Sequence, residues 1–193
     1  MILRVYKFNQ VKSTNDIAIN FIKNKGIKKG IIVADTQSKG RGTKGKKWIS
    51  LKGNLFLSIF FPIKNIHPKF YEFTIINPVL IISVIGKYYK KRNLQIKWPN
   101  DILIGNKKVC GILQEIINFK EKPYMIIGIG VNLNSNPSIK NKLTTSIYLE
   151  TKKLVNKNNF LRYIKESYKN FFFDLETYDF SFYNDKSKSL SAN

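Results

Sequence analysis

The chain has 193 residues, 43% of them hydrophobic, and one cysteine, which is enough apolar material for one packed domain and excludes an intramolecular disulfide. Its longest apolar stretch, residues 78–85, is too short to cross a bilayer, and its first residues lack the layout of a signal peptide, so we expect a cytoplasmic protein. The formal net charge of +22 suits nonspecific contact with nucleic acid, but the lysines are dispersed, so we interpret most of them as solvated surface and expect no specific nucleic-acid partner.

The N-terminal part predicts a strand, a helix and a second strand. Residues 2–8 alternate between the two sides of a strand. Residues 13–15, Ser-Thr-Asn, are good N-cap residues ahead of an apolar helical pattern, which predicts a helix from about 14 to 25. Capping alone would account for these three polar residues. Residues 30–36 read as a buried strand.

The segment over residues 37–48 combines three glycines with one arginine and four lysines. Glycine permits close backbone approach, and interleaved cations suit a phosphate-bearing ligand. The segment lacks the Gly-Lys-Ser/Thr ending of a Walker A loop, which excludes that motif. A flexible surface loop explains the composition equally well.

The middle of the chain predicts one strand and one long helix. Residues 54–61 are strongly apolar and end at Pro62, which predicts a buried strand. Residues 71–90 form the longest helical candidate, and Pro78 in its first half predicts a kink or a late start. The centre of this helix is apolar nearly all round, so we expect it to pack against a sheet.

Residues 97–113 predict a hairpin around which we expect the site to be organised. Gly105-Asn106 tolerates positive φ and separates two apolar runs, which is a strong hairpin signal. Lys97 and Asp101 would lie about 13 Å apart on a straight strand. Pro99 disfavours a central strand, so we expect a bend there that brings the ammonium and the carboxylate together.

The last part of the chain predicts a strand, a short element and a helix. Glycine and asparagine occupy one face of the strand over residues 124–134; such a face cannot pack a core, so we infer that it borders a ligand. A short element is predicted around residues 144–149 and an amphipathic helix over about 158–177. We expect one domain, residues 1–178, followed by a polar, frayed tail over 179–193.

Taken together, these segments resemble the catalytic domain of biotin protein ligases over about residues 8–175. The blocks that carry the resemblance are Ser13-Thr14-Asn15, Gln37, Gly40 to Trp48, Lys97-Trp98-Pro99-Asn100-Asp101, Lys108-Val109-Cys110-Gly111-Ile112-Leu113 and Gly128-Ile129-Gly130-Val131-Asn132. The Lys-Trp-Pro-Asn-Asp block is the most specific of them. The resemblance implies an α+β fold like that of class II aminoacyl-tRNA synthetases, with a mixed, mainly antiparallel sheet and helices packed on one side.

The resemblance also implies a two-step reaction. Biotin and ATP would give biotinyl-AMP and pyrophosphate, and a lysine of a biotin carboxyl carrier protein would then attack the mixed anhydride. In the first step a carboxylate approaches an anionic phosphate, so cations are needed between them, and Lys97 and Arg41 are the predicted catalytic residues. Asp101 is predicted to hold Mg²⁺.

Binding residues follow from the same resemblance. The predicted biotin-binding residues are Ser13, Thr14, Asn15, Gln37, Arg41, Lys97, Gly111, Leu113 and Gly130. The predicted nucleotide-binding residues are Arg41, Lys44, Trp48, Lys97 and Asn132. Polar side chains can pair with the ureido ring of biotin, and a glycine-rich wall can lie beside its apolar tail.

The sequence departs from the family pattern in three places. Thr43 stands where many of these enzymes carry a second arginine, and lysine stands at two commonly arginine positions, 44 and 46. Because lysine lacks the bidentate fork of arginine, we expect looser retention of biotinyl-AMP. The short stretches before residue 13 and after 178 predict the monofunctional type, without the DNA-binding domain and without the usual small C-terminal β-domain. A homodimer is left open.

Three other hypotheses fit part of the sequence. A lipoate or octanoate ligase would share the fold, but the Gly-Arg-Gly loop and the Lys-Trp-Pro-Asn-Asp block fit the biotin branch better. A catalytically inactive nucleic-acid-binding protein would explain the charge but not the glycine and asparagine face. Cys110 could carry an acyl group, as in the related octanoyl transferases, but buried cysteine usually packs as a small hydrophobe.

Overall fold

A seven-stranded sheet forms the centre of the part of the chain, residues 3–63, 68–90 and 93–191, that our computed structural model describes. The strands are β1 (Val5–Val11), β2 (Gly30–Gln37), β3 (Leu55–Pro62), β4 (Leu94–Lys97), β5 (Asp101–Ile104), β6 (Lys107–Phe119) and β7 (Lys122–Val131). Their spatial order is β1-β2-β3-β7-β6-β5-β4. Strands β1 and β2 pair in parallel, and the other neighbours pair antiparallel.

Helices lie on both faces of this sheet, most of them on one face. They are α1 (Thr14–Asn24), α2 (Phe73–Ile85), α3 (Ile147–Thr151), α4 (Lys157–Phe173) and α5 (Phe180–Ser189). Short 3₁₀ turns cover Thr43–Gly45, Phe70–Glu72 and Asp174–Thr177. Within the described ranges, no helix has the length and apolar character that a membrane crossing requires.

Alternation along the central strands gives the sheet two different faces. Ile31, Leu57 and Ile127 belong to the larger core, which includes the apolar residues of α2 and α4. Ile32 and Phe60, which point the other way, belong to a smaller core beneath α1. The α1 face therefore has less helical cover than its opposite, and a ligand can reach the sheet from this side.

The fold class predicted from the sequence is confirmed: the sheet is mixed, mainly antiparallel, and most helices pack on one side. Helix α1 is the exception, because it packs on the other face. The strand predicted over residues 2–8 is β1, whose start is shifted to Val5, and residue 2 lies outside the described part. The helix predicted over 71–90 is α2, which begins late, after a 3₁₀ turn, and contains Pro78.

The described part of the predicted frayed tail is instead ordered. Residues 180–189 form α5, which packs against α2, and Asp179 caps its first turn. Past the helix, the carbonyl of Leu190 accepts a hydrogen bond from the backbone N–H of Ile96, 2.6 Å away, on the outer edge of β4. The frayed-tail prediction was wrong because the local sequence is polar, whereas the ordering contacts are made with distant elements.

A buried hydrogen bond joins the helices of the larger core. The hydroxyl of Tyr168 donates to Oδ1 of Asn77 over 2.8 Å, and both side chains are fully buried. We expect Tyr168→Phe to lower the free energy of unfolding by about 1–3 kcal/mol, because the buried Asn77 oxygen then loses its partner. Urea unfolding measures this loss. The double variant Tyr168→Phe, Asn77→Leu should lose less unfolding free energy than Tyr168→Phe alone. An equal or larger loss in the double variant would contradict the explanation.

Candidate functional site

A cavity opens on the α1 face of the sheet, above β6 and β7. Ten of the predicted site residues line it: Ser13, Thr14, Asn15, Gln37, Arg41, Trp48, Gly111, Leu113, Gly130 and Asn132. Predicted residues that are not part of the lining are Lys44, Lys97 and Asp101. The fold thus brings together ten predicted residues that lie far apart in the sequence. Lys97, one of the two predicted catalytic residues, is not part of this lining.

Glycines form the floor of the cavity. Gly111 of β6 lies opposite Gly130 of β7, and the indole of Trp48 lies over both. A Cβ atom added at Gly111 would come within 2.6 Å of the Trp48 ring, a distance that no ordinary side chain can adopt. Glycine is therefore required here by close approach rather than by backbone conformation. The inference that this face cannot pack an ordinary core agrees with the structure.

One end of the cavity is polar. The backbone N–H of Thr14 donates to Oε1 of Gln37 over 2.8 Å, and Nε2 of Gln37 donates to Oγ of Ser50 over 3.1 Å. The hydroxyl of Ser58 lies 2.7 Å from Oγ1 of Thr14 and also contacts Oδ1 of Asn15. These contacts link α1, β2 and β3 into one hydrogen-bonded cluster at the end of the floor.

Ser50 and Ser58 were missed by sequence analysis. The sequence carries a signal for Ser58, because it is the one polar residue within the apolar run of β3 and is fully buried. Ser13 occupies the N-cap position of α1, but its side chain makes no capping hydrogen bond. Capping alone is therefore not the role of Ser13, whose buried side chain faces the cavity.

The loop over residues 38–50 closes the cavity on one side. Backbone hydrogen bonds join Gly42 to Lys46 over 2.7 Å and Trp48 to Gly40 over 2.9 Å, so the loop is an ordered, hairpin-like turn. Lys44 lies exposed at its tip with a positive φ of 55°, outside the cavity.

Arg41 is fixed between two carboxylates. Its guanidinium makes a bidentate pair with Glu115, with distances of 2.7 and 2.8 Å, and lies 2.9 Å from Oδ1 of Asp16. Partial burial opposes the charged form, but hydrogen bonding and attraction from Glu115 and Asp16 outweigh it and raise the pKa of Arg41 above its ordinary value. In this structure Arg41 anchors the loop to α1 and β6.

The structure gives Lys97 and Lys108 of the predicted hairpin different surroundings. Lys97 pairs with Asp101 in the backbone register of β4 and β5, as the predicted bend requires, but its side chain is exposed and does not line the cavity. Lys108 lines the cavity instead, with Nζ 2.6 Å from Oδ1 of Asp101 and 5.2 Å from the centre of the Trp48 ring. Through Asp101, Lys97 lies in the same cross-strand row as Gly111, so it belongs to the cavity face of the sheet but stands outside the lining. The ammonium that lies beside the glycine floor is that of Lys108, and the catalytic role of Lys97 stays a prediction.

A β-bulge in β6 explains why Lys108 faces the cavity. Ile102 pairs with Cys110, but Leu103 pairs with Lys108, so Val109 is the extra residue of the bulge. Val109 and Cys110 both point into the larger core. Strict alternation from Gly111 would have turned residue 108 into that core, and the bulge reverses this. Sequence alternation gives no sign of the extra residue, which is why Lys108 was missed.

Cys110 lies on the core side of β6 and is fully buried. Burial raises the pKa of its thiol far above the ordinary value, with a smaller opposing effect from Lys108. The thiol therefore stays protonated and turned away from the cavity floor. The hypothesis that Cys110 carries an acyl group is disfavoured.

The indole of Trp48 limits the free space in the cavity. About 120 Å³ remains beside it, compared with about 300 Å³ or more for typical small-molecule pockets. Two buried polar atoms of the lining, Nε1 of Trp48 and Oδ1 of Asn132, have no hydrogen-bond partner in the described part of the chain. A ligand of nucleotide size thus requires the indole to move, and it would find one donor and one acceptor there.

Residues 7–132 match the family described as "Biotin/lipoate A/B protein ligase family". The bifunctional ligase/repressor BirA of Bacillus subtilis is 33% identical over 130 residues, which are 66% of this chain and 40% of that protein. A biotin--[acetyl-CoA-carboxylase] ligase of Paracoccus denitrificans is 27% identical over 157 residues, 78% of this chain and 65% of that protein. The chain therefore spans less than two thirds of the length of these curated relatives.

Among solved structures, the biotin protein ligase of Aquifex aeolicus in complex with biotin and ATP superimposes with a TM-score of 0.82 and 24% identity. The match covers 98% of this chain and 79% of that one. At this level of identity the likeness establishes the fold.

Close packing over the floor predicts the effect of one added methyl group. In a Trp98→Phe background, which leaves Trp48 as the sole tryptophan of the sequence, Gly130→Ala should push the indole outwards. We expect the fluorescence emission of Trp48 to shift to longer wavelength because the ring gains contact with water. Gly86→Ala, at the end of α2, is the matched control. Unchanged emission in Gly130→Ala would contradict the close approach.

Proposed function

The chain belongs to the biotin/lipoate A/B protein ligase family, and on that basis we propose that it is an ATP-dependent biotin protein ligase. One observation carries the proposal: a single cavity has a buried polar cluster at one end, a glycine floor, and the ammonium of Lys108 beside the floor. That arrangement fits a ligand with a polar ring, an apolar tail and an anionic end. Biotin joined to a nucleotide has these parts.

The polar cluster suits the ureido ring of biotin. Thr14, Asn15 and Gln37 offer both donors and acceptors, and Ser58 keeps two of these side chains in place. Ser13 contributes a further hydroxyl to the lining. Because Thr14 and Asn15 are buried and the cluster is already held by internal hydrogen bonds, these groups need little rearrangement to bind a polar ring. The apolar tail would then run along Leu113 and the glycines.

Adenylation would take place beside Lys108. A carboxylate oxygen of biotin attacks the α-phosphorus of ATP, the new phosphorus–oxygen bond forms, and the bond to pyrophosphate breaks. Both reactants are anionic at this point, so the ammonium of Lys108 lowers the repulsion between them and stabilises the charge that develops. We therefore assign to Lys108 the part that the sequence suggested for Lys97.

The nucleotide would lie against the loop and the end of β7. Trp48 offers its indole as a stacking surface, and the unpaired Oδ1 of Asn132 can accept a hydrogen bond from the amino group of adenine. Lys46, Lys47 and Lys142 also line the cavity and suit the phosphates. Arg41 reaches the ligand only if its pairs with Glu115 and Asp16 exchange, so we regard its anchoring contact as its main contribution.

A magnesium ion is part of the proposal, with Asp101 as its carboxylate ligand. Within the described ranges no three His, Cys, Asp or Glu side chains cluster to hold a metal. A single carboxylate, that of Asp101, fits Mg²⁺, because this ion commonly takes its other oxygen ligands from phosphates and water. When bound, the ion would neutralise phosphate charge, and Asp101 would then share its contacts between the ion and Lys108.

Transfer would follow when the lysine of a carrier protein reaches the cavity mouth. Its amine attacks the carbonyl carbon of biotinyl-AMP, the amide bond forms as the nitrogen loses a proton to water, and AMP leaves with the electrons of the broken anhydride bond. The proposed partner is a biotin carboxyl carrier protein. The same family includes lipoate ligases, so titration with biotin and with lipoate separates the two substrates; tighter binding of lipoate would overturn our choice.

The proposed function is tested by labelling. Purified protein with biotin, ATP and Mg²⁺ should biotinylate a carrier domain and catalyse biotin-dependent pyrophosphate exchange.

Lys108→Ala should lower the exchange rate about 100-fold or more, since it removes a charge that faces the reacting phosphate. Lys97→Ala, a matched exposed lysine, should change it less than about threefold. If Lys97→Ala lowers the exchange rate more than Lys108→Ala does, Lys97 and not Lys108 is the catalytic residue. If the wild-type protein does not label the carrier domain, the proposed function is wrong.

Retention of the intermediate gives a second prediction. Thr43 lines the cavity at a position where an arginine would offer a charged, forked donor to the phosphate of biotinyl-AMP. We expect Thr43→Arg to slow the release of biotinyl-AMP about 10-fold. Release is measured by chasing labelled intermediate from the protein. Lys44→Arg, at the exposed loop tip, is the control, and equal rates for wild type and Thr43→Arg would refute the prediction.

A further inference from the structure

Glu115 of β6 connects three separate parts of the cavity wall. Its carboxylate accepts two hydrogen bonds from the guanidinium of Arg41, over 2.7 and 2.8 Å, and one from Nδ2 of Asn15, over 2.6 Å. Asn15 lies in the first turn of α1, and Arg41 begins the ordered part of the loop. One side chain therefore holds together β6, α1 and the loop that carries Trp48.

The contact with Asn15 decides which way the amide of that residue points. An ionised carboxylate can only accept hydrogen bonds, so the amide nitrogen of Asn15 must face Glu115. The amide oxygen then faces Ser58 and lies directly above Gly128, on the cavity side. Asn15 is only 2% exposed and cannot turn to water for an alternative. Glu115 thus determines that Asn15 presents an acceptor to the polar end of the cavity.

The contact with Arg41 holds the loop. Arg41 forms an isolated bridge with Lys47, the residue before Trp48. Movement of the Arg41 backbone therefore carries the indole with it. Asp16 makes the second ion pair to Arg41 at 2.9 Å, whereas the side-chain amide of Asn15 donates to Glu115. The two carboxylates can thus be tested separately.

We propose that Glu115 is a positioning residue that orients the Asn15 amide towards the ligand and anchors the Trp48 loop through Arg41. The ligand in this inference is the biotin of the proposed function, on which it rests. A glutamine at this position keeps the shape but offers one acceptor oxygen and one donor nitrogen. It cannot satisfy two donors of Arg41 and the Asn15 amide together, so at least one of the contacts is lost.

The test uses Glu115→Gln, Asp16→Asn and a control, Glu166→Gln, which removes the carboxylate of an exposed pair with Arg162 on α4. Two quantities are measured: kcat and the KM for biotin in pyrophosphate exchange, and the rate at which trypsin cleaves the folded protein after the loop lysines. Thermal unfolding of each variant reports whether the fold is retained.

We expect Glu115→Gln to raise the KM for biotin about 10-fold with little change in kcat, and to speed loop cleavage about fivefold or more. Asp16→Asn should speed cleavage while changing the KM less than about threefold, because Asn15 keeps its partner. Glu166→Gln should change neither quantity. A Glu115→Gln variant with unchanged KM and unchanged cleavage, or with changes that only follow its thermal stability, would overturn the proposal.

Two further outcomes separate the parts of the inference. If Asp16→Asn raises the KM as much as Glu115→Gln does, the orientation of Asn15 is not the cause and that part fails. If wild-type protein shows no biotin-dependent exchange, the proposed function fails, while the cleavage rates still test the anchoring of the loop. The double variant Arg41→Gln, Glu115→Gln should be cleaved no faster than Arg41→Gln alone, because that single change already removes the pair with Glu115; faster cleavage of the double variant would contradict the shared anchor.

Discussion

The contact between the indole of Trp48 and the backbone of Gly111 and Gly130 is the constraint on which the cavity depends. It needs two conditions at once, a strip of sheet without side chains and a loop that is held against it. Neither condition alone would maintain the contact. Side chains on the floor would force the loop away, and a loop without its anchor would leave an apolar ring and bare backbone exposed to water.

Charge has different functions inside and outside the cavity. The chain carries a net charge of +22, and most of its lysines lie on the surface, where single charges contribute little to stability. Near the floor, carboxylates fix the cations: Asp101 holds Lys108, and Glu115 and Asp16 hold Arg41. The few acidic residues at this place therefore give the cavity its fixed electrostatic layout, which a surface of mobile lysines could not provide.

The sequence predicted those features that local pattern encodes. Alternation and turn residues located the central strands, and short blocks of unusual composition located most of the lining. Lys108 was missed because a single extra residue in β6 reverses the alternation, and no residue type marks its place. The ordered structure of residues 179–191 was not predicted, because the contacts that order them are made with α2 and the edge of β4. Contacts between distant parts of the chain therefore fix the structural features that the local sequence pattern does not predict.

The bulge at Val109 also limits how this part of the chain can vary in length. Residues added at the exposed turn of Gly105-Asn106 would only extend the end of the hairpin. One residue gained or lost between Lys107 and Cys110 would instead exchange the faces of the strand, placing an aliphatic side chain over the floor and burying an ammonium in the core. Homologous chains that keep this chemistry must therefore conserve spacing here more strictly than residue identity.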